Sequence, residues 1–213
     1  MWVIGKTANV MKVWPHSLAR LLLALCLLVA GGIAIWSARA ATVSAPVEAN
    51  KDFRDIQLVD QFGKRFTLSE YDDQPVLVNF VFTGCSTYCP VQTGALLTSS
   101  DELSADHPDQ SFKFVSISLT PLFDRPRDMK SYSERFSVVR EDWIFATGDA
   151  ENIETILAQL KLKVEYGERP NLDVFHETDI FVLQPGKAGS LRFEGIPLDH
   201  QGLAGALFPS AVG

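Results

Sequence analysis

Cysteine is scarce in this chain: 213 residues contain three, with four histidines beside them. That scarcity leaves no fourth ligand at a suitable spacing for a structural zinc module. Basic residues are also outnumbered, 19 Lys and Arg against 26 Asp and Glu. Beyond residue 40 the net charge is −11 and no basic stripe is present. A nucleic-acid partner is therefore not expected, because phosphate contacts need clustered Lys and Arg. No internal repeat or low-complexity tract occurs, and 46% of residues are apolar against 21% charged. Such a chain folds around a core, with room for one ordinary domain plus an appendage.

Acid is absent from residues 1–40, which carry only Lys6, Lys12, Arg20 and Arg39 as charges. Between Arg20 and Arg39 lie 18 uncharged residues, "LLLALCLLVAGGIAIWSA", long enough to cross most of a bilayer as a helix. Trp36 stands where an interfacial aromatic is placed, and the basic residues before the run keep the N-terminus cytoplasmic. Ala38-Arg39-Ala40 also reads as a cleavage site, so a removed signal peptide is the competing reading. The apolar run is longer than a signal peptide needs, which favours a retained anchor. The expected organisation is a cytoplasmic N-terminus (1–20), a single transmembrane helix (21–38), a linker (39–51) and an exported domain (52–213). That places the chain in the cell inner membrane with its C-terminal domain in the periplasm. The short, Ser-poor N-terminus speaks against the mitochondrial intermembrane space.

Within the exported part, residues 41–51 are small and polar, as in a linker. Phe53 to Tyr71 alternates around Gln61-Phe62-Gly63-Lys64 and reads as a hairpin. Pro75 to Phe82 is a continuous apolar run, expected of a strand covered on both faces. Pro90 suits the first turn of a helix running to about Ala105. Phe112 to Leu119 and Trp143 to Ala146 read as strands, and Arg125 to Phe136 as a helix. A further helix spans Asp149 to Leu162 with Asp149 as its cap. "DIFVLQ" and "LRFEG" flank Pro185 to Ser190 as a hairpin, and a short helix closes the chain around Gln201 to Phe208. The succession is a three-layer α/β pattern.

The chemistry concentrates in "FTGCSTYCP", Phe82 to Pro90, where two thiols stand four positions apart at the end of a buried strand. Cys26 lies in the apolar run and reads as a packing residue, so Cys85 and Cys89 are the only exported thiols. In an oxidising compartment such a pair can close into a disulfide. A permanent clip returns little stability across so short a loop. Near a helix start, the free backbone donors and the positive dipole end lower a thiol pKa. The spacing turns both side chains to one side, where they can share an ion or oxidise to each other.

Thiolates favour Cu(I) and imidazole suits copper, so a third ligand is sought among the histidines. His16 precedes the membrane run. His107 lies in the polar turn after the helix, remote from the thiols, and His200 suits a cap or a surface position before the last helix. His176 ends the irregular loop "GERPNLDV" and leads into an apolar strand. It becomes a ligand only if the fold brings it to the cysteines.

"NFVFTGCSTYCP", a long helix, "FKFVSISLTP", "FATGD" and His176 before "DIFVLQPG" together resemble the Sco (SenC-like) proteins, from about Phe53 to Phe208. The resemblance implies a thioredoxin-like fold tethered by one membrane helix. It also implies a copper site at Cys85, Cys89 and His176, for Cu(I) and also Cu(II). By the same resemblance the chain takes copper from an upstream donor. It delivers that copper to the copper-bearing subunit of cytochrome c oxidase, or maintains the thiols of the binuclear site there. Two departures stand out: Thr120-Pro121 replaces the Asp-Pro of the family, and Phe175 precedes the histidine where an acid is usual, with Asp173 and Glu177 nearby.

The alternative is a membrane-tethered thiol–disulfide oxidoreductase without a metal. Thioredoxin-type enzymes carry two residues between their thiols and this chain has three, which suits chelation at least as well as exchange. A peroxiredoxin pattern would need Pro at 78 and Thr at 82, where Val78 and Phe82 stand.

Overall fold

The computed structural model describes residues 44–47, 51–138 and 140–209. The expected cytoplasmic segment and transmembrane helix lie outside them. Among the described residues, no helix is long and apolar enough to cross a membrane.

The centre of the molecule is the run that reads as continuously apolar in the sequence. Val76–Val81 forms β4, and all six of its residues are buried. Successive side chains on a strand face opposite ways, so a strand buried throughout is covered on both faces. Lys113–Ser118 (β5) lies parallel to it, and Trp143–Ala146 (β6) parallel to β5. On the other side of β4 the sheet turns antiparallel through Ile180–Leu183 (β9) and Ser190–Phe193 (β10). With Ser44–Val47 (β1) at the edge, the order is β1-β10-β9-β4-β5-β6.

The outermost strand corrects one expectation. Ser44–Val47, read as linker, is β1 and pairs antiparallel with β10. Backbone hydrogen bonding needs no apolar pattern, and an edge position tolerates Pro46, whose missing donor would break a central strand. The first hairpin is as expected, with Leu58–Val59 (β2) paired to Arg65–Phe66 (β3). Single helical turns at Lys51–Asp55 and Leu68–Tyr71 flank it.

Among the described residues four helices complete the fold: Tyr88–Asp106 (α1), Pro126–Arg135 (α2), Ala150–Leu160 (α3) and His200–Leu207 (α4). Asp149 occupies the cap position of α3, but its side chain makes no capping hydrogen bond. Helix α1 starts two residues before Pro90, which therefore sits third in the helix. That is harmless, since backbone N–H groups of a first turn have no partner within the helix. The buried stripe of α1 runs through Cys89, Gln92, Thr93, Leu96, Ser100 and Leu103, a helical spacing carried largely by polar residues.

The irregular loop before His176 is present over residues 167–173, and it is the turn of a hairpin that the sequence reading did not include, Val164–Tyr166 (β7) against Val174–His176 (β8). Gly167, Pro170 and Asn171 in its turn mask the two short flanks.

Leu77, fully buried in β4, gives the domain a simple stability test. Leu77→Ala should lower the unfolding free energy by about 2–5 kcal/mol. In denaturant this appears as a lower midpoint at unchanged slope.

Candidate metal centre

Strand β4 delivers the chain into a tight loop at Thr83–Thr87, and α1 leaves that loop at once. The loop is held at its start. Asp124, 1% exposed, accepts from the Thr83 backbone N–H and hydroxyl and from the hydroxyls of Ser118 and Thr120. Gly84 presses against the turn of the β7–β8 hairpin, where an added Cβ would collide with the Asn171 carbonyl oxygen. The hairpin is pinned a second time by Tyr166, whose hydroxyl donates to the Leu119 carbonyl at 2.8 Å.

Cys85 in the loop and Cys89 in the first turn of α1 are free thiols in contrasting surroundings. Cys85 is half-buried and Cys89 is 2% exposed. The Cys89 backbone N–H donates to the Cys85 sulfur at 3.3 Å. Thr87, the residue at the cap position, makes no side-chain capping bond, so the sulfur serves a donor that the helix leaves open. The Cys89 thiol also donates to Cys85, and these bonds, with further ones from Thr87, outweigh burial and lower the Cys85 pKa to about 5. The same shared proton, reinforced by burial, pushes the Cys89 thiol far up. At neutral pH the pair is a thiolate at Cys85 beside a thiol at Cys89.

The third residue arrives from the far side. His176, last in β8, places its Nε2 4.0 Å from the Cys89 sulfur. Its Nδ1 lies 2.8 Å from the Glu177 carbonyl oxygen. A carbonyl only accepts, so Nδ1 carries the proton and Nε2 turns its lone pair toward the sulfurs. Burial, against the pull of that carbonyl, lowers the His176 pKa and keeps the ring neutral. The Phe82 ring meets the imidazole edge-on with centroids 6.2 Å apart.

These donors suit one soft ion. Among the described residues no three His, Cys, Asp or Glu side chains are already closed around a point. Cys85, Cys89 and His176 would therefore have to close further to hold one ion between them. In front of them opens a cleft of about 350 Å³, lined by Cys85, Tyr88, Leu172, Phe175, His176 and Thr178. Tyr88 and Phe175 form an apolar rim, 64% and 67% exposed.

The structure thus brings together Cys85, Cys89 and His176 and leaves the other described histidines elsewhere. His107 follows α1 and packs on Phe208, and His200 contacts Ser99 at 2.7 Å. His200 is the first residue of α4, whose cap is Asp199. Neither nearby acid reaches the imidazole as an orienting group: Asp173 is engaged by Arg169 and Glu177 by Arg192. The Glu177 carbonyl does that work instead. Sequence reasoning did not find Asp124, whose only signal is an acid following the loop after β5, nor Gln92, one turn beyond Cys89.

Fold and site together define a thioredoxin-like α/β domain with a dithiol–imidazole cluster at the end of its central strand. The chain belongs to the SCO1/SenC family, whose model matches residues 45–195. It is 26% identical over 138 residues to the SCO1 protein homolog of Bacillus subtilis, spanning 64% of this chain and 70% of the relative. Its fold is similar to that of BsSco, with TM-score 0.63 and 22% identity, over 76% of this chain and 92% of that one. It also resembles copper-bound ScoI of Arabidopsis thaliana, with TM-score 0.60 and 23% identity, over 70% of this chain and 90% of that one.

The Cys85 environment predicts an unusual reactivity profile. A lowered pKa means the thiolate is present above the midpoint and lost below it. Alkylation of the reduced, metal-free chain should therefore stay fast at neutral pH and fall through a midpoint of about 5. Cys89→Ala, which removes the donated S–H, should move that midpoint up toward the ordinary thiol value of about 8.5.

Proposed function

We propose that this chain is a copper metallochaperone of the exported compartment. It takes copper from an upstream donor and delivers it to the copper-bearing subunit of cytochrome c oxidase, or maintains the thiols of that site. The observation that carries the reading is the convergence of two sulfurs and a neutral imidazole at one rim, Cys89 and His176 being 4.0 Å apart. Support also comes from relatives: the Arabidopsis ScoI structure holds copper, and BsSco is described as a member of a family of cytochrome c oxidase assembly proteins. A helix over residues 21–38 would tether the domain to the inner membrane, with the cleft in the periplasm.

Each residue has a distinct part. Cys85 offers a ready thiolate at the cleft surface, where an incoming soft ion meets it first. Cys89 lies deeper and gives up its proton when metal binds, as coordinating thiols do. His176 presents Nε2 with its tautomer held by the Glu177 carbonyl. Two thiolates and one imidazole favour Cu(I), and the same donors would also hold Cu(II). The open cleft leaves a side from which a partner's ligands can take the ion, and its apolar rim limits water there.

A second reading is favoured by a specific feature: a half-exposed, low-pKa Cys85 with a second thiol in hydrogen-bond contact. That is also the arrangement of a thiol–disulfide oxidoreductase. In it Cys85 attacks a partner disulfide, releasing one partner thiolate and forming a mixed disulfide. Cys89 then attacks the Cys85 sulfur, freeing the second partner thiol and leaving a Cys85–Cys89 disulfide.

The reduced full chain should bind one Cu(I). His176→Ala should weaken that binding at least about tenfold, given the typical effect of altering groups around a metal, with an unchanged far-UV spectrum. Competition against a chromophoric Cu(I) chelator measures it. Rapid disulfide exchange by wild type that takes up no copper would transfer the assignment to the oxidoreductase.

A further inference from the structure

Behind the cluster runs a file of buried hydrogen bonds that the copper reading does not use. Trp143 Nε1 donates to Ser116 Oγ at 2.9 Å, and Ser116 Oγ donates to Asn79 Oδ1 at 2.7 Å. Asn79 Nδ2 donates to Gln92 Oε1 at 3.1 Å, and Gln92 Nε2 donates to the Thr178 carbonyl oxygen. The file crosses β6, β5 and β4, enters α1 and ends on the backbone beyond β8. Asn79 and Ser116 are fully buried and Gln92 is 2% exposed.

Its direction follows from chemistry. An indole N–H can only donate, so Ser116 accepts from Trp143 and has its own proton free for the Asn79 carbonyl oxygen. That leaves the Asn79 amide nitrogen facing Gln92, which must then accept with Oε1 and donate with Nε2. The Gln92 amide cannot flip without breaking two buried bonds, each costly in a water-free interior. Gln92 is therefore a one-way connector whose donor end is aimed at a single carbonyl.

The position of that connector matters. Gln92 lies three residues after Cys89, on the same face of α1, and Thr178 lies two residues after His176. One amide thus ties the thiol-bearing helix to the backbone that carries the imidazole. Gly195 closes over the junction: a Cβ there would collide with both Thr178 O and Gln92 Nε2. The histidine side is also met by Phe82 and Gly84 from before the helix, by β7 through the pairing of Val164 with His176, and by Arg192 on Glu177 and Asp179. From α1 come the Cys89 sulfur and the Gln92 amide, and of these the amide makes the hydrogen bond to the backbone.

We infer that Gln92 is the positioning residue that sets the separation of Cys89 and His176, holding the imidazole within reach of the buried sulfur before any ion arrives. The consequence for copper affinity rests on the function proposed above; the consequence for geometry does not.

The test uses the full chain as wild type, Gln92→Leu, His176→Ala and the double variant. In the reduced, metal-free wild type an NMR cross-peak should connect the Cys89 β-protons with a His176 ring proton beside Nε2. It should disappear in Gln92→Leu while far-UV dichroism stays native. Cu(I) affinity should fall about 10- to 100-fold in Gln92→Leu, the range for groups acting through a ligand. In the His176→Ala background the same substitution should cost nothing further, because Gln92 acts through that ring. Should Gln92→Leu not fold, Gln92→Met replaces it: an unbranched side chain of similar length that cannot donate to Thr178. A cross-peak that is absent from wild type, or that persists in the folded variant, overturns the inference. So does an equal loss of affinity in both backgrounds, which would mark Gln92 as a general support of α1. If wild type takes up no copper, the metal reading falls and the cross-peak alone decides the positioning role.

Discussion

The backbone N–H of Cys89 ends on the sulfur of Cys85, and together with the Cys89 thiol, which lowers the Cys85 pKa most, it decides much of the site's chemistry. A first helical turn presents donors with no partner inside the helix, and the side chain of Thr87 does not supply one. The sulfur fills the gap as a thiolate, because a charged acceptor makes the stronger bond. The loop closes into a turn around this contact, so both sulfurs face the same side. Asp124 below and the Asn171 turn beside Gly84 hold the loop in place.

Burial then divides the labour between two chemically identical side chains. The outer sulfur is accessible and ionised; the inner one is enclosed and protonated. Such a pair serves metal capture and thiol exchange equally well, and what separates the two is the third donor. The His176 ring is fixed by a carbonyl and buried enough to stay neutral, which prepares a ligand. Exchange chemistry needs no such preparation. The substitution of an acid by Phe175 leaves this intact, since orientation comes from the backbone and the phenyl ring faces solvent at the rim.

Much of this was legible before any coordinates. The apolar run at β4, the hairpin around Gly63 and the hairpin across Pro185 to Ser190 follow from local pattern, because strand alternation and turn chemistry act over a few residues. Cys85 and Cys89 are neighbours by spacing alone. Three features were hidden. Strand β1 joins the sheet through its backbone, which composition does not reveal. The β7–β8 flanks are too short to stand out against their Gly, Pro and Asn. The buried stripe of α1 mixes Gln, Thr and Ser with Cys89, Leu96 and Leu103, so a search for apolar periodicity passes over much of it.

The sequence by itself therefore determined the fold class, the family and the three side chains on which the proposed chemistry turns, since these reside in local runs and residue types. Only the tertiary structure decided that they meet. His176 is 87 positions from Cys89, and no periodicity spans that interval. The meeting depends on the antiparallel pairing of β9 with β4 and on buried amides that satisfy one another across four elements. Both are properties of the packed core, where an unpaired polar group is costly and one arrangement is selected.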